Sequence, residues 1–351
     1  MMAEMKLVVM GAGLIGREHC ALIQSHPSVI LAGIADPSPE SITYANQINV
    51  PHYMDYEKML DEVRPDGAIV ALPNKLHESA GLSCLSRKIP CLIEKPIADS
   101  LASAMNLVRA SETSGTPALV GHHRRHSPDI RSARKIVRSG DLGDLVAVNG
   151  LWLSDKPDPY FDAEWRRQSG GGPLLINLIH EIDCLRYIVG EITEVRAFTS
   201  SATRNFEVED TISVALRFDN GALGSFLMSD AVASPYSWEV TSGQALYFPH
   251  QAGDCYHFGG RRATLSVPSM TLWRHDGDDK NWQDPFVRQT IPLDNSRTYQ
   301  NQLNHLIDVI SGTAAPVITA RDAMMTLATT LAVDVAARED RTVSVTDLIN
   351  E

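Results

Sequence analysis

The chain has 351 residues, 44% hydrophobic and 21% charged, with a formal net charge of −12. This length exceeds one ordinary hydrophobic core, so two domains of a soluble globular protein are expected. The acidic balance argues against a nucleic-acid surface, which needs a basic face, and no run approaches the roughly 18 apolar residues of a membrane span.

The opening MMAEMKLVVMGAG has neither the basic n-region nor the long apolar h-region of a signal peptide. Five scattered cysteines (Cys20, Cys84, Cys91, Cys184 and Cys255) with no C-x-x-C suit reduced thiols, and a cytoplasmic location is expected.

The first apolar run, Leu7 to Met10, reads as a buried parallel strand. Gly11, Gly13 and Gly16 follow in G-x-G-x-x-G spacing, then a helical pattern from Leu14 to about Ser25. A second apolar run, Val29 to Ile34, ends at Asp36. The first glycine allows a tight turn, the second lets a pyrophosphate approach the backbone, and the third lets helix and strand pack closely. Phosphates then meet the N–H groups of the first helical turn, at Leu14 and Ile15, and the positive end of the helix dipole. Glycines also mark ordinary turns, but here they follow a strand, open a helix and precede an acid by about 20 residues, the context of a dinucleotide site. Asp36 favours NAD over NADP, because a carboxylate accepts from a ribose 2′-OH and repels a 2′-phosphate. Pro37-Ser38 place no arginine beside it.

Asp55 to Val63 reads as a short helix and Gly67 to Leu72 as a strand stopped by Pro73-Asn74. A helix from Lys75 to Arg87 contains His77. Pro90 to Ile93 is the next strand and ends in Glu94-Lys95-Pro96. A helix from about Asp99 to Ser114 and a strand from Thr116 to Gly121 complete the series. Strands alternating with helices predict an α/β, doubly wound parallel sheet. Ligands bind at the carboxyl ends of such strands, which collects Gly11 to Gly16, Asp36, Leu72-Pro73-Asn74, His77, Glu94-Lys95-Pro96 and His122 to His126 on one rim. By position alone Lys95 is equally a solvent-facing residue before a proline or an ammonium at the cofactor rim.

His122 to His126 (HHRRH) ends the last strand, where adjacent side chains diverge, so no metal site is expected. Ser127 then caps a helix that Gly140 stops. Leu145 to Leu153 reads as a strand. The irregular stretch from Asp155 to Ser169, with Lys156, Tyr160, Trp165, Arg166 and Arg167, is long enough for a functional loop, the alternative being a polar surface excursion. Gly170-Gly171-Gly172-Pro173 precedes a helix in which Asn177, His180 and Asp183 follow i, i+3, i+6 spacing. A histidine on an apolar helix is commonly a satisfied core residue, but an Asn–His–Asp line needs partners when buried.

Further strands are expected at Val195 to Ser200, Ser237 to Phe248, Ala263 to Val267, Met270 to His275 and Val287 to Leu293. Asp219-Asn220-Gly221 joins Thr211 to Phe218 and Ala222 to Met228 as a hairpin. Helices near Tyr299 to Ile310 and Ala320 to Ala337 close the chain. The expected organisation is a dinucleotide-binding domain over 1–122 and an α+β domain over 123–351 with a large, mostly antiparallel open sheet. Trp238, Tyr256 and His257 are either pocket-lining or ordinary core aromatics.

The glycine motif at 11–16, Pro73-Asn74 with His77, Glu94-Lys95-Pro96 and GGGPLLINLIHEID resemble the glucose–fructose oxidoreductase, inositol dehydrogenase and rhizopine-catabolism (Gfo/Idh/MocA) oxidoreductases. The resemblance implies a Rossmann domain and an NAD-dependent dehydrogenase acting on a secondary alcohol of a sugar, cyclic polyol or hydroxy acid. It implies that Lys95 reaches nicotinamide and substrate with Pro96 fixing its aim, that His180 is the general acid/base, and that Asp183 orients His180 or touches substrate. His123 falls with the cofactor, and Arg124, Trp152, Tyr160, Trp165, Arg166 and Asn177 with the substrate. Many relatives carry Asp or Asn four residues before this histidine, where this chain has Ile176. A homodimer or homotetramer is implied. A bound-NAD, redox-assisted hydrolase or lyase and a non-catalytic NAD-binding sensor are the alternatives.

Overall fold

Six short segments of the N-terminal third pair into one parallel sheet in a computed structural model that describes residues 4–245, 247–275 and 282–350. They are β1 (Met5–Met10), β2 (Val29–Ala35), β3 (His52–Tyr53), β4 (Gly67–Val70), β5 (Cys91–Ile93) and β6 (Ala118–Val120), in the order β3-β2-β1-β4-β5-β6. The run Leu7 to Met10 is wholly buried, as a strand covered on both faces requires. The connecting helices are α1 (Leu14–Ser25), α2 (Pro39–Gln47), α3 (Tyr56–Val63), α4 (His77–Ser86) and α5 (Leu101–Ser114). Asp55 Oδ1 accepts from Lys58 N (3.1 Å) to cap α3, and Ser100 Oγ accepts from Ser103 N (3.1 Å) to cap α5. The expected helices and strands form here; α2 and β3 were not expected, because their segment is polar and broken by prolines. The strand order reverses at β1, which has β2 on one side and β4 on the other, and the crevice at such a reversal is where dinucleotides bind.

The rest of the chain supplies α6 (Pro128–Ser139), β7 (Leu145–Leu153), α7 (Ile179–Ile188), β8 (Ile192–Ser200), β9 (Thr211–Phe218), β10 (Leu223–Ser229), α8 (Trp238–Thr241), β11 (Tyr256–Gly260), β12 (Ala263–Val267), β13 (Thr271–His275) and β14 (Phe286–Thr290). Then follow α9 (Thr298–Ile310), α10 (Ala320–Arg338), β15 (Val343–Ser344) and α11 (Val345–Asn350). A nine-stranded sheet runs β14-β13-β12-β11-β7-β10-β9-β8-β15, antiparallel except where β10 lies parallel to β7. Strict alternation of buried and exposed residues along β9 shows one face packed and one open.

Three expectations are corrected. Ser237 to Phe248 is not a strand: Ser237 leads into α8, Thr241 Oγ1 bonds back to Ser237 O (2.8 Å), and position 246 lies outside the described residues. Trp238 drives this turn by burying its indole and donating to Asp129 Oδ2 (2.9 Å). His123–His126 is a 3₁₀ turn rather than a strand end, since β6 stops at Val120. Finally, the chain divides into one unit of Met1–His123 with Tyr299–Leu327 and another of Arg124–Thr298 with Ala328–Glu351. The expected boundary at 122/123 is one residue away, but residues 299–327 return to the first unit. Their apolar side chains explain it: Leu303, Leu306 and Val309 share a core with Leu7, Val9 and Ile69. Ile310 Cδ1 lies 2.4 Å from where a Cβ on Gly67 would stand, so the side chain of α9 fills the space that this glycine leaves.

Leu306→Ala should therefore destabilise the first unit by about 2–5 kcal/mol, the range for emptying a buried leucine site. Urea denaturation reads this directly; an unchanged midpoint would remove α9 from that core.

Candidate active site

In the first unit the three glycines of the loop after β1 do different things. Gly11 adopts φ +95°, and a Cβ there would stand 2.3 Å from Ala71 O. A Cβ on Gly16 would stand 2.0 Å from Gly11 O, so α1 rests directly on the loop. Gly13 faces open space, with nothing within 4 Å. No side chain caps α1, and Leu14 beside it is 82% exposed. The loop thus leaves a backbone cradle where a pyrophosphate fits, at the positive end of the helix. Ile15 is half-buried behind it. At the end of β2, Asp36 accepts from Ala12 N (2.7 Å) through Oδ2 and from Ser38 N (2.8 Å) through Oδ1. Burial alone would raise this carboxyl, but the hydrogen bonds from Ser38 and Ala12 outweigh it and hold it below the usual aspartate range. An anion thus stands at the end of β2, beside the glycine loop.

Leu72, Pro73 and Asn74 follow β4, the latter two exposed. His77 lies behind them, buried: its Nε2 sits 2.7 Å from Leu72 O and its Nδ1 2.8 Å from Pro96 O. It ties the loop after β4 to the loop after β5. Lys95 is half-buried and precedes Pro96 through a cis peptide bond. Glu94 turns into the protein, with Oε1 2.8 Å from His19 Nε2 and Oε2 accepting from Lys95 N (3.2 Å). Burial works to raise Glu94, but the hydrogen bond and charge of His19 prevail and its carboxyl lies below the usual range. His123 stacks on Tyr299 with ring centroids 4.5 Å apart.

In the second unit, residues 174–178 form a π turn and α7 begins at Ile179, so the expected even spacing of Asn177, His180 and Asp183 is interrupted. His180 is 9% exposed. Asp183 is held by Arg125, whose Nε donates to Oδ2 (2.9 Å) and Nη2 to Oδ1 (2.6 Å), both groups buried. Arg124 is only 1% exposed and lies between two carboxylates, Glu181 Oε1 (2.5 Å) and Glu239 Oε1 (2.5 Å), with Trp238 4.7 Å from its guanidinium carbon. Tyr256 donates to Glu181, and Trp152 Nε1 donates to Glu239 Oε2 (2.8 Å). Burial pushes Glu181 up, against the pull of Arg124. Arg124 and Trp152 are thus committed to a buried network with Trp238 and Tyr256, while His257, next to Tyr256 on β11, bonds Ser266 Oγ (3.0 Å).

The stretch after β7 folds into two 3₁₀ turns, Asp158–Asp162 and Glu164–Arg167. Lys156 Nζ lies 2.8 Å from Asn177 Oδ1 and 3.2 Å from Asp230 Oδ2. The Tyr160 ring has Lys156 Nζ 4.8 Å from its centroid and the Arg166 guanidinium carbon 3.9 Å from it. Trp165 is exposed and lies 5.3 Å from Arg166. Burial lowers the Lys156 ammonium below the usual lysine range, against the pull of Asp230. The structure brings Lys156, Tyr160, Trp165, Arg166 and Asn177 together and sets Arg124, Trp152 and Asp183 into separate buried pairings.

Sequence reasoning passed over His19, Glu181, Asp230 and Glu239. Asp230 had a signal, an acid directly after the apolar strand β10; the other three sit within helical turns that carry no spacing rule.

Replacing Asp36 with serine should weaken NAD binding about tenfold or more, since a charge-assisted hydrogen bond contributes about 1.5–3 kcal/mol. The preference for NAD over NADP should shrink with it. Calorimetric titration with both nucleotides measures this, and an unchanged preference would remove Asp36 from the ribose site.

Residues 5–122 match the oxidoreductase family, NAD-binding Rossmann fold, and residues 130–247 match the GFO/IDH/MocA C-terminal domain. The chain is 23% identical to the 2,7-anhydro-N-acetylneuraminate hydratase of Escherichia coli (strain K12), across 97% of each protein. It is 25% identical to the 1,5-anhydro-D-fructose reductase of Ensifer adhaerens, across 94% of this chain and 95% of the relative. Its fold is similar to the crystal structure of the WlbA dehydrogenase from Bordetella pertussis in complex with NADH and UDP-GlcNAcA. The TM-score is 0.78 at 21% identity, covering 97% of this chain and 99% of that one. With the glycine cradle and Asp36 in place, these matches identify the chain as an NAD-binding oxidoreductase, a member of the Gfo/Idh/MocA family.

Proposed function

We propose that this protein is an NAD-dependent dehydrogenase that oxidises a secondary alcohol of a sugar, cyclic polyol or sugar acid. The observation that carries the reading is the cofactor rim of the first unit. There the glycine cradle, the Asp36 carboxylate and Lys95 follow three strand ends of one sheet. Bound NAD supplies the hydride acceptor. His180 removes the hydroxyl proton, a role worth about 10²–10⁴-fold in rate. Lys95 donates a hydrogen bond to the same oxygen and stabilises its developing negative charge. Glu94, fixed by His19, holds the Lys95 main chain in place. Asp183 is bound by Arg125 on the helix that carries His180, and its role is to stiffen that helix.

The full-length match to a protein named a hydratase favours a second reading, in which NAD stays bound and the hydride is returned during an addition or elimination. We also propose a homo-oligomer formed through the open face of the second sheet. Phe198, Leu227 and Leu223 stand exposed there among the small residues Ser213, Ala215, Ser225 and Ala147, a flat surface that a second copy would cover. Cytoplasmic residence accords with five buried, free cysteines.

His180→Ala and Lys95→Met should each lower NADH formation, read at 340 nm across a panel of sugars, inositols and sugar acids, by at least about 10²-fold. NAD affinity should stay within a few-fold of the parent. Loss of NAD affinity in His180→Ala would make that residue structural, and substrate consumption without NADH release would favour the second reading. Phe198→Asp should shift sedimentation from a dimer or tetramer towards the monomer; a monomeric parent would end the oligomer proposal.

A further inference from the structure

We infer that Arg166 and Lys156, set against the ring of Tyr160, form a carboxylate-binding subsite, so that the substrate is an acidic sugar rather than a neutral one. The inference rests on the oxidoreductase reading above and narrows its substrate class. Among the cations of the second unit, Arg124, Arg125, Lys156 and Arg166 are held in different ways. Arg124 is closed between Glu181 and Glu239, and Arg125 is engaged by Asp183 in a two-point pair. Neither guanidinium has the geometry to meet a ligand's acid.

Arg166 differs. Among the described residues no carboxylate pairs with it. Its Nη1 donates to the carbonyl of Tyr160 (2.5 Å), its Nε is buried without a hydrogen-bond partner, and its guanidinium lies 3.9 Å from the Tyr160 centroid. A buried N–H without a partner costs free energy until something accepts from it. A planar guanidinium presents donors in the fork that a carboxylate matches.

Lys156 contributes a second cation to the same ring, 4.8 Å from its centroid. Its acid partner is shared: Asp230 also takes Arg204, whose Nε lies 3.1 Å from Oδ1. Asp230 is buried and takes both of these cations, exposed Asp155 adds a contact to Arg204 (3.2 Å), and Glu209 acts on Lys156 from farther away, so these acids are engaged by Lys156 and Arg204 while Arg166 has no such pair among the described residues. Asn177 Oδ1 accepts from Lys156 (2.8 Å), which links the subsite to the turn three residues before His180. Exposed Trp165, beside Arg166, offers a face for a sugar ring.

The test is calorimetric titration of the NAD-loaded protein with D-glucuronate, D-galacturonate and D-gluconate, against D-glucose, D-galactose and D-glucose 6-phosphate. The parent protein should bind at least one of the acids at least tenfold more tightly than its neutral counterpart. Arg166→Gln and Lys156→Gln should each erase most of that preference, lowering acid affinity at least tenfold relative to neutral-sugar affinity measured in the same folded variant. Equal affinity for acid and neutral sugar, no binding of any acid, or a preference that survives both substitutions would overturn the subsite. Preference for the phosphate over every carboxylate would overturn the carboxylate assignment. Turnover measured alongside separates the two readings: an acid bound through Arg166 but never oxidised keeps the subsite and ends the dehydrogenase.

Discussion

The close approach of α1 to the loop after β1 is the constraint on which the first unit depends. Gly16 sits where a Cβ would fall 2.0 Å from Gly11 O, and Gly11 in turn sits against Ala71 at the end of β4. Two glycines thus compress a helix, a loop and two strand ends into one place. The compression aims the helix's positive end at the crevice formed by the reversal of strand order. Around that point the sheet delivers Asp36 from β2, the Leu72-Pro73-Asn74 corner from β4 and Lys95 from β5, and His77 ties two of these corners together through main-chain oxygens.

Charge burial organises the second unit in a different way. Arg124, Glu181 and Glu239 lie in a largely dry network closed by Tyr256, Trp152 and Trp238. Removing ions from water is costly, and their attraction recovers that cost only when each is well paired. Such a network is therefore all-or-none, and it fixes α7, α8 and β11 relative to one another. Arg125 with Asp183 acts similarly on the next turn of α7. The sequence H-E-x-D thus carries two buried carboxylates after its histidine, Glu181 and Asp183, each paired with an arginine.

The stretch between β7 and the π turn behaves otherwise. Its cations are held by aromatic rings and shared acids rather than by full ion pairing, and Arg166 retains an unsatisfied buried donor. Arg124 also keeps a buried Nε without a partner, so the two sets of arginines differ in carboxylate pairing: Arg124 and Arg125 are held by acids, and Arg166 by a ring and a main-chain oxygen.

Much of this was legible in the residues. Continuous apolar runs ending in glycines, Asp36 and Lys95 determined a parallel sheet with a cofactor rim, because strand period, turn chemistry and helix-terminus electrostatics are local properties that a linear chain displays. The Asp219-Asn220-Gly221 hairpin formed for the same reason, with Gly221 at φ +87°. The return of residues 299–327 to the first core was not legible, since an amphipathic helix does not say which sheet it will cover. Trp238 overrode a strand-like pattern by burying its ring and bonding Asp129, and neither partner announces the other across 109 positions. The same holds for the arginines. HHRRH shows two adjacent guanidinium groups of equal promise, and Asp155 to Ser169 shows more. Which of them are neutralised depends on carboxylates brought from distant elements, and long-range charge pairing is decided only when the chain has folded.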